Sequence, residues 1–155
     1  MNAVIDTNLS PADGLAPVYS QYPLEVTRAD GVWLHTRDGR RVLDLYGGHA
    51  VAALGYGHRG WLQALTQQAG SAAFQSNAVA MEVRARAAQR LLQFAQLPLD
   101  SVFFINSGAE ANENAFKMAF KMRAGRTHIA AIEHSFHGRT AAAAAATWGA
   151  AAKWY

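Results

Sequence analysis

A short apolar segment, a small turn and a long helix-favouring segment constrain the fold of this chain most. Residues 102–105 read Val-Phe-Phe-Ile, a length that suits a buried strand. The turn that follows, residues 106–109, contains one glycine and no charged side chain. The next segment carries Glu110 and Glu113 near its start, where the positive end of a helix dipole favours acids. A strand, a glycine turn and a helix N-terminus together form an anion site, most often for phosphate.

A second group of functional side chains follows another strand-like segment. Residues 128–132, His-Ile-Ala-Ala-Ile, favour a strand, and the octapeptide after them, residues 133–140, reads EHSFHGRT. Ligands bind beyond the carboxyl ends of strands in open α/β sheets. A glycine turn alone is more often ordinary turn chemistry. The two groups in this order therefore carry the prediction of a ligand site.

Two motifs carry a family resemblance, NSGAEANENAFKMA and SFHGRT. They resemble the class III (fold type I) aminotransferases that use pyridoxal phosphate, the group of acetylornithine, ornithine and 4-aminobutyrate aminotransferases. The resemblance runs from Tyr22 to the last residue. It implies an α/β fold: a small N-terminal antiparallel sheet, then the start of a mostly parallel three-layer α/β/α large domain, incomplete here. Residues 1–55 would form the arm and small-domain segment, and residues 56–155 part of the cofactor-binding large domain.

Composition excludes several other classes of protein. The 155 residues include no cysteine, so a disulfide framework or a thiolate metal site cannot form. The net charge of +3 comes from scattered basic residues, which argues against a nucleic-acid-binding surface. No apolar run has the length of a membrane span, and the N-terminus lacks the pattern of a signal peptide. We therefore expect a cytoplasmic protein that binds neither membrane nor nucleic acid.

Turn signals place three short strands early in the chain, after an arm at residues 1–14 that we expect to be flexible. The strands are predicted at residues 24–28, 31–36 and 41–45, separated by turns that contain Asp-Gly, a strong hairpin signal.

Helical periodicity predicts helices at residues 61–73 and 81–96, the second ending before Pro98. Six consecutive alanines, residues 141–146, favour helix or a low-complexity segment by composition. The family resemblance instead favours a strand-like continuation there.

The resemblance assigns five residues to the cofactor, pyridoxal 5'-phosphate. Ser107, Gly108 and Ala109 would hold its phosphate through backbone N–H groups. Phe136 would stack on its pyridine ring, and His137 would border the ring or position Phe136. The alternative for Phe136 is a core aromatic, since strand ends often bury one.

Three residues are candidates for substrate contacts. Arg139 carries a planar guanidinium that suits bidentate carboxylate binding, and the resemblance assigns it to the carboxylate of the amino donor. Tyr22 lies in a region that approaches the substrate in the family, although ordinary packing explains it as well. His49 occupies a position from which relatives present various side chains to the substrate, although a structural histidine is the alternative.

A lysine must hold the cofactor as a Schiff base and shuttle the proton. The chain contains only Lys117, Lys121 and Lys153, and none matches the family's catalytic motif. The resemblance places that lysine, and the aspartate that pairs with the pyridine nitrogen, beyond residue 155. We therefore expect no catalytic residue in this chain, and expect the chain alone to be inactive.

The predicted reaction moves an amino group from an acetylornithine- or ornithine-type donor to 2-oxoglutarate, with a homodimer as the full-length form. The alternatives are a 4-aminobutyrate or other omega-amino acid aminotransferase, and a non-catalytic truncated fragment. A metal hydrolase using Glu133, His134 and His137 is disfavoured, because no further ligands stand at suitable spacing.

Overall fold

The computed structural model of the chain describes residues 14–15 and 21–149. They belong to two compact units, one within Met1–Val79 and the other within Ala80–Tyr155. The predicted domain boundary at residues 55 and 56 stays a prediction. The predicted arm, apart from Gly14, and the C-terminal Lys153 lie outside the described residues.

A three-stranded antiparallel sheet forms the first part of the N-terminal unit. Its strands are β1 (Val26–Asp30), β2 (Trp33–Thr36) and β3 (Arg41–Leu43), in the spatial order β1-β2-β3. The prediction of three strands joined by tight turns is therefore confirmed. Strand β1 has the predicted length of five residues but begins two residues later than expected, and β2 and β3 are each two residues shorter than expected. Each hairpin turns at a glycine with positive φ, 55° at Gly31 and 84° at Gly39, as the Asp-Gly signal requires.

Two helical segments follow the sheet. The first, α1 (Gly47–Ala50), is a left-handed turn in which all four residues have φ between 56° and 61°. The second, α2 (Arg59–Ala72), begins two residues before the predicted start. His58 caps it, because its ring Nδ1 accepts a hydrogen bond from the Trp61 N–H at 3.2 Å.

The second unit contains three helices: α3 (Glu82–Ala95), α4 (Gly108–Met122) and α5 (Ala141–Ala145). Helix α3 confirms the prediction of a helix at residues 81–96, and Gln96 caps its C-terminus in a left-handed conformation with φ 50°. Helix α4 confirms the predicted helix after the glycine turn. No helix in the described part of the chain is both long and apolar enough to span a membrane.

The two strands predicted around α4 are wrong for this structure. Residues 102–105 and 128–132 form no strand and pair with no other segment among residues 21–149. Phe103 is 70% exposed and Ile132 is 82% exposed. A strand needs a neighbour that satisfies its backbone N–H and C=O groups, and in the described structure neither segment has one.

The alanine segment is a helix, so the expectation from composition is confirmed and the strand-like continuation is wrong. Alanine has the highest helix propensity, and the side chains of α5 are small enough to pack closely on α4. Ala143 and Ala144 are fully buried, and Thr147, just after the helix, is 6% exposed. The buried core of the second unit therefore lies where α5 meets α4.

Candidate functional site

The N-terminus of α4 presents two unpaired backbone donors. Ser107 caps the helix, because its Oγ accepts from the Glu110 N–H at 3.2 Å. The Glu110 carboxylate accepts in turn from the Asn106 N–H at 2.7 Å, an arrangement close to a capping box. The N–H groups of Gly108 and Ala109 donate to no acceptor within the described residues. Two free amides at the positive end of a 15-residue helix suit an anion.

The second sequence motif reaches this helix end through Gly138. A Cβ added at Gly138 would lie 2.5 Å from the Ala109 Cβ and 2.9 Å from the Ala109 Cα. It would also lie 3.1 Å from the Cβ of Ala143, and Gly138 has φ 134°. Only glycine allows so close an approach. The structure therefore brings the two predicted halves of the site together at Gly138 and Ala109.

Polar side chains hold the peptide between His137 and Gly138 on both of its edges. The Asn112 Nδ2 donates to the His137 carbonyl at 2.6 Å. The N–H groups of His137 and Gly138 donate to Thr147 Oγ1 at 2.9 and 3.3 Å. The Thr147 hydroxyl can donate to the carbonyl of Ala143 at 2.9 Å or of Gly138 at 3.2 Å. We refer to Asn112 and Thr147 as the peptide clamp.

The side chains of Phe136 and Arg139, on either side of the clamped peptide, meet each other. The Arg139 Cζ lies 5.3 Å from the centroid of the Phe136 ring, within the range of a cation–π contact. The Phe136 side chain is 58% exposed, and its assignment to the cofactor ring stays a prediction. His137 is half-buried, and the structure fixes its backbone rather than assigning its ring a role.

Glu113 joins α4 to the start of α5. Its Oε1 accepts from the Thr140 hydroxyl at 2.7 Å and from the N–H groups of Ala142 and Ala143 at 2.9 and 3.3 Å. The Thr140 hydroxyl, then the Ala143 amide, lower the pKa of this carboxyl, against the opposing effect of burial. An acid expected only to favour the helix dipole therefore also satisfies the N-terminal amides of the next helix.

Tyr22 and His49 belong to the N-terminal unit. Tyr22 is 88% exposed. His49 lies in the left-handed turn with φ 60°, and its Nδ1 lies 2.6 Å from the Tyr46 hydroxyl. The structure therefore gives His49 a local partner and leaves both substrate assignments as predictions.

Asp44 holds the turn that carries His49. Its carboxylate accepts from the N–H groups of Tyr46 and Gly47 at 3.0 and 2.8 Å, and from the Tyr56 hydroxyl at 2.7 Å. The hydrogen bond from the Tyr56 hydroxyl, followed by that from the Gly47 N–H, lowers the pKa of Asp44. The hydrogen bond between Tyr56 and Asp44 also raises the pKa of Tyr56. Beside this turn lies an apolar cleft of about 580 Å³, bordered by Val51, Leu54 and Trp61 among others.

Sequence reasoning missed Asn112, Thr147 and the bridging role of Glu113. Asn112 bonds to a residue 25 positions away in the sequence, and Thr147 bonds to residues 9 and 10 positions away. Glu113 bonds to a residue 30 positions away. The only local signal was a polar threonine that ends an alanine run. Within residues 21–149, no three histidine, aspartate or glutamate side chains lie close enough together to hold a metal ion.

Comparison with known proteins defines the class of protein. The family model for class III aminotransferases matches residues 15–153. The acetylornithine aminotransferase 1 of Bordetella parapertussis is 38% identical over 140 residues, which cover 88% of this chain and 35% of the relative. The acetylornithine aminotransferase of Rhodobacter capsulatus is 42% identical over 135 residues, 84% of this chain and 34% of the relative. The chain belongs to the class III aminotransferase family.

Solved structures agree with this family. The taurine:2-oxoglutarate aminotransferase of Bifidobacterium kashiwanohense, solved with PLP and glutamate, matches with a TM-score of 0.74 and 31% identity, over 86% of this chain and 30% of that one. A thermostable omega transaminase mutant from Pseudomonas jessenii matches with a TM-score of 0.75 and 26% identity, over 81% of this chain and 29% of that one. The fold type I class is therefore confirmed, and this chain spans about a third of the length of the first curated relatives that it matches.

Proposed function

We propose that this chain contributes the phosphate- and ring-binding part of a pyridoxal-phosphate aminotransferase whose amino donor is of the acetylornithine or ornithine type and whose acceptor is 2-oxoglutarate. One observation carries this proposal. Two unpaired amides at the start of α4 lie beside the segment that bears Phe136 and Arg139, and Gly138 makes that contact possible. The relatives named acetylornithine aminotransferase support the choice of donor.

The residues present fit the cofactor. Gly108 and Ala109 would donate to the phosphate, where the helix dipole adds a favourable charge. Phe136, being exposed, would offer its face to the pyridine ring. Pyridoxal phosphate, when bound, would supply an electron sink for the negative charge that develops on the carbon bearing the amino group. The chain's own contribution is to bind and orient it.

Arg139 would bind a substrate carboxylate. Its Cζ lies 5.3 Å from the centroid of the Phe136 ring, and a planar guanidinium matches a carboxylate through two parallel hydrogen bonds. Placing the carboxylate site beside the ring site would fix the substrate's direction relative to the cofactor. This is the orienting role that effective catalysis requires.

The covalent and proton-moving steps need a lysine. Of the two described lysines, Lys117 lies close enough to Glu113 to help lower the pKa of that carboxyl, and Lys121 lies in the last turn of α4. We therefore propose that neither serves as the catalytic lysine, and that this chain by itself is inactive. Borohydride reduction with pyridoxal phosphate, followed by peptide mapping, tests this: specific labelling of Lys117, Lys121 or Lys153 would contradict it.

A proline at the first helical position provides a sharp test of the phosphate site. Gly108→Pro removes one N–H donor, and proline is well tolerated at this position of a helix. Ser107 before it is already extended, with φ −154° and ψ 159°, as a residue before proline must be. Gly108→Ala is the matched control, because it keeps the N–H and a Cβ there meets nothing within 4 Å.

We expect Gly108→Pro to weaken pyridoxal phosphate binding about tenfold or more, the loss of one charge-assisted hydrogen bond. Binding of pyridoxal, which lacks the phosphate, should not change. Absorbance titrations of the intact protein measure both affinities. Equal affinity of the proline and alanine variants for pyridoxal phosphate would refute phosphate binding at this helix end.

An omega-amino donor is the second candidate, because the solved neighbours include a taurine aminotransferase and an omega transaminase. Initial rates with N-acetylornithine, ornithine, 4-aminobutyrate and taurine separate the two candidates. We further propose a homodimer located in the cytoplasm. Sedimentation of the intact protein tests the first of these, and cell fractionation the second.

A further inference from the structure

We infer that Thr147, with Asn112, is a positioning residue of the cofactor site, which neither the family motifs nor the predicted contacts assign. The inference rests on the proposed function, since it concerns the ring-binding half of that site. Neither residue would touch the cofactor. Together they set the orientation of the His137–Gly138 peptide, and through it the directions in which Phe136 and Arg139 leave the backbone.

The geometry of the clamp leaves this peptide no freedom to rotate. Asn112 holds its carbonyl at 2.6 Å, and the Thr147 hydroxyl accepts from its N–H at 3.3 Å. Rotating the peptide plane would break both bonds at once, and the unpaired groups would be costly because Gly138 and Thr147 are buried. A peptide fixed on both edges transmits its orientation to the residues on either side.

The clamp is also anchored to the two helices that frame the site. Asn112 stands on α4, four residues after Gly108, and Thr147 also donates to the Ala143 carbonyl in α5. The ring-binding segment is thereby held in register with the phosphate-binding amides. Displacement of the segment would separate Phe136 from the position of a phosphate held at Gly108 and Ala109.

Thr147→Val is the direct test, because valine has the shape of threonine without the hydroxyl. Thr147→Ser restores the hydroxyl and serves as the rescue variant. Thr66→Val, at an exposed position of α2, is the matched control for the substitution itself. Three quantities are measured in the intact protein: the affinity for pyridoxal phosphate, the inhibition constant of inorganic phosphate against it, and the induced circular dichroism of the bound cofactor.

We expect Thr147→Val to weaken pyridoxal phosphate binding about tenfold and to change the induced circular dichroism, since two amides lose their acceptor. The inhibition constant of inorganic phosphate should stay within about twofold, because the amides of α4 are untouched. Thr147→Ser and Thr66→Val should resemble the parent protein. A purely structural role would lower the melting temperature and leave all three quantities unchanged in the folded protein, which would overturn the inference.

Asn112→Asp tests the other edge of the peptide if the valine variant does not fold. It replaces the amide donor by an acceptor that repels the His137 carbonyl. Asn114→Asp is its control, because Asn114 Nδ2 bonds only within α4, to the Glu110 carbonyl at 2.9 Å. The inference fails if both aspartate variants bind pyridoxal phosphate equally well. If the parent protein itself binds no pyridoxal phosphate, the proposed function fails. That outcome differs from equal binding by the two aspartate variants, which would overturn only the positioning role.

Discussion

Replacing Gly138 by alanine tests the contact that joins the two halves of the site. The new methyl group would lie 2.5 Å from the Ala109 Cβ and 2.9 Å from its Cα, which is backbone and cannot swing away. Overpacking of this kind costs about 1–3 kcal/mol. A side chain held at φ 134° adds about 1–3 kcal/mol of strain. The segment is therefore expected to lose about 2–6 kcal/mol of local stability.

Amide hydrogen exchange under native conditions locates this loss, because it reports the free energy of local opening. The N–H groups of Ala144 and Ala146, bonded at 2.7 and 3.1 Å to Thr140 and Ala142, are suitable reporters. At about 1.4 kcal/mol per factor of ten, a loss of 2 kcal/mol accelerates their exchange about 30-fold. The affinity for pyridoxal phosphate should fall in parallel, because Phe136 moves away from α4.

Two other glycines separate strain from close packing. Gly125 has φ 86° and open space around it, so Gly125→Ala introduces strain alone. Gly70 lies inside α2 with neither positive φ nor a near neighbour, so Gly70→Ala should stabilise by up to about 1 kcal/mol. Melting temperatures should rank Gly70→Ala highest and Gly138→Ala lowest.

The reasoning would be refuted if Gly138→Ala left the exchange of Ala144 and Ala146 unchanged, or melted no lower than Gly125→Ala. A second substitution sharpens this outcome. Ala109→Gly removes the nearer of the two contacting atoms, so the double variant should recover part of the loss. No recovery would mean that strain and the remaining contact with the Ala109 Cα, and not the contact with the Ala109 Cβ, account for the effect.

Three further predictions concern single side chains. Ser107→Ala should destabilise α4 by about 1 kcal/mol, because the helix loses its N-terminal cap, and should also weaken phosphate binding. The melting temperature measures the first effect and titration with pyridoxal phosphate the second, with Ser101→Ala, at an exposed position, as the control. Glu113 has a depressed pKa, so its contribution to stability is complete above the ordinary carboxyl pKa of about 4.3 and is lost as the pH falls through the lower folded-state value. Its titration should shift the amide resonances of Ala142 and Ala143 with a midpoint below that pH, and Glu113→Gln should abolish the shift. In the intact protein, Arg139→Lys should raise KM for the amino donor about tenfold with little change in kcat, because lysine lacks the planar fork. Initial rates of the intact protein measure this, with Arg126→Lys as control. An unchanged KM would rule out the carboxylate role.

Local signals were sufficient for the elements whose causes are local. Asp-Gly turns placed the hairpins of the first sheet, and helical periodicity placed α3 within one residue at each end. The start of α4 was predictable because Ser107 is a capping residue followed by helix-favouring side chains. The start of α2 was less predictable, because capping by a histidine ring, here that of His58, is not a common sequence signal.

The remaining features depend on partners that are distant in the sequence. Residues 102–105 have the composition of a strand, but a strand exists only where a neighbouring strand pairs with it. The peptide clamp likewise depends on side chains that are ordinary in their local context. Asn112 sits within a helix and Thr147 follows an alanine run, and only the fold reveals that both bond to one peptide.

Small residues explain how the two motifs become one site. Ala109, Gly138 and Ala143 meet at distances that leave no room for even one more methyl group. Close packing at these positions lets the α4 amides and the ring-binding segment share one ligand-sized region. Larger side chains there would keep both motifs intact in sequence and yet separate them in space. The phosphate donors and the ring-binding aromatic can therefore act on one molecule only while these three positions stay small.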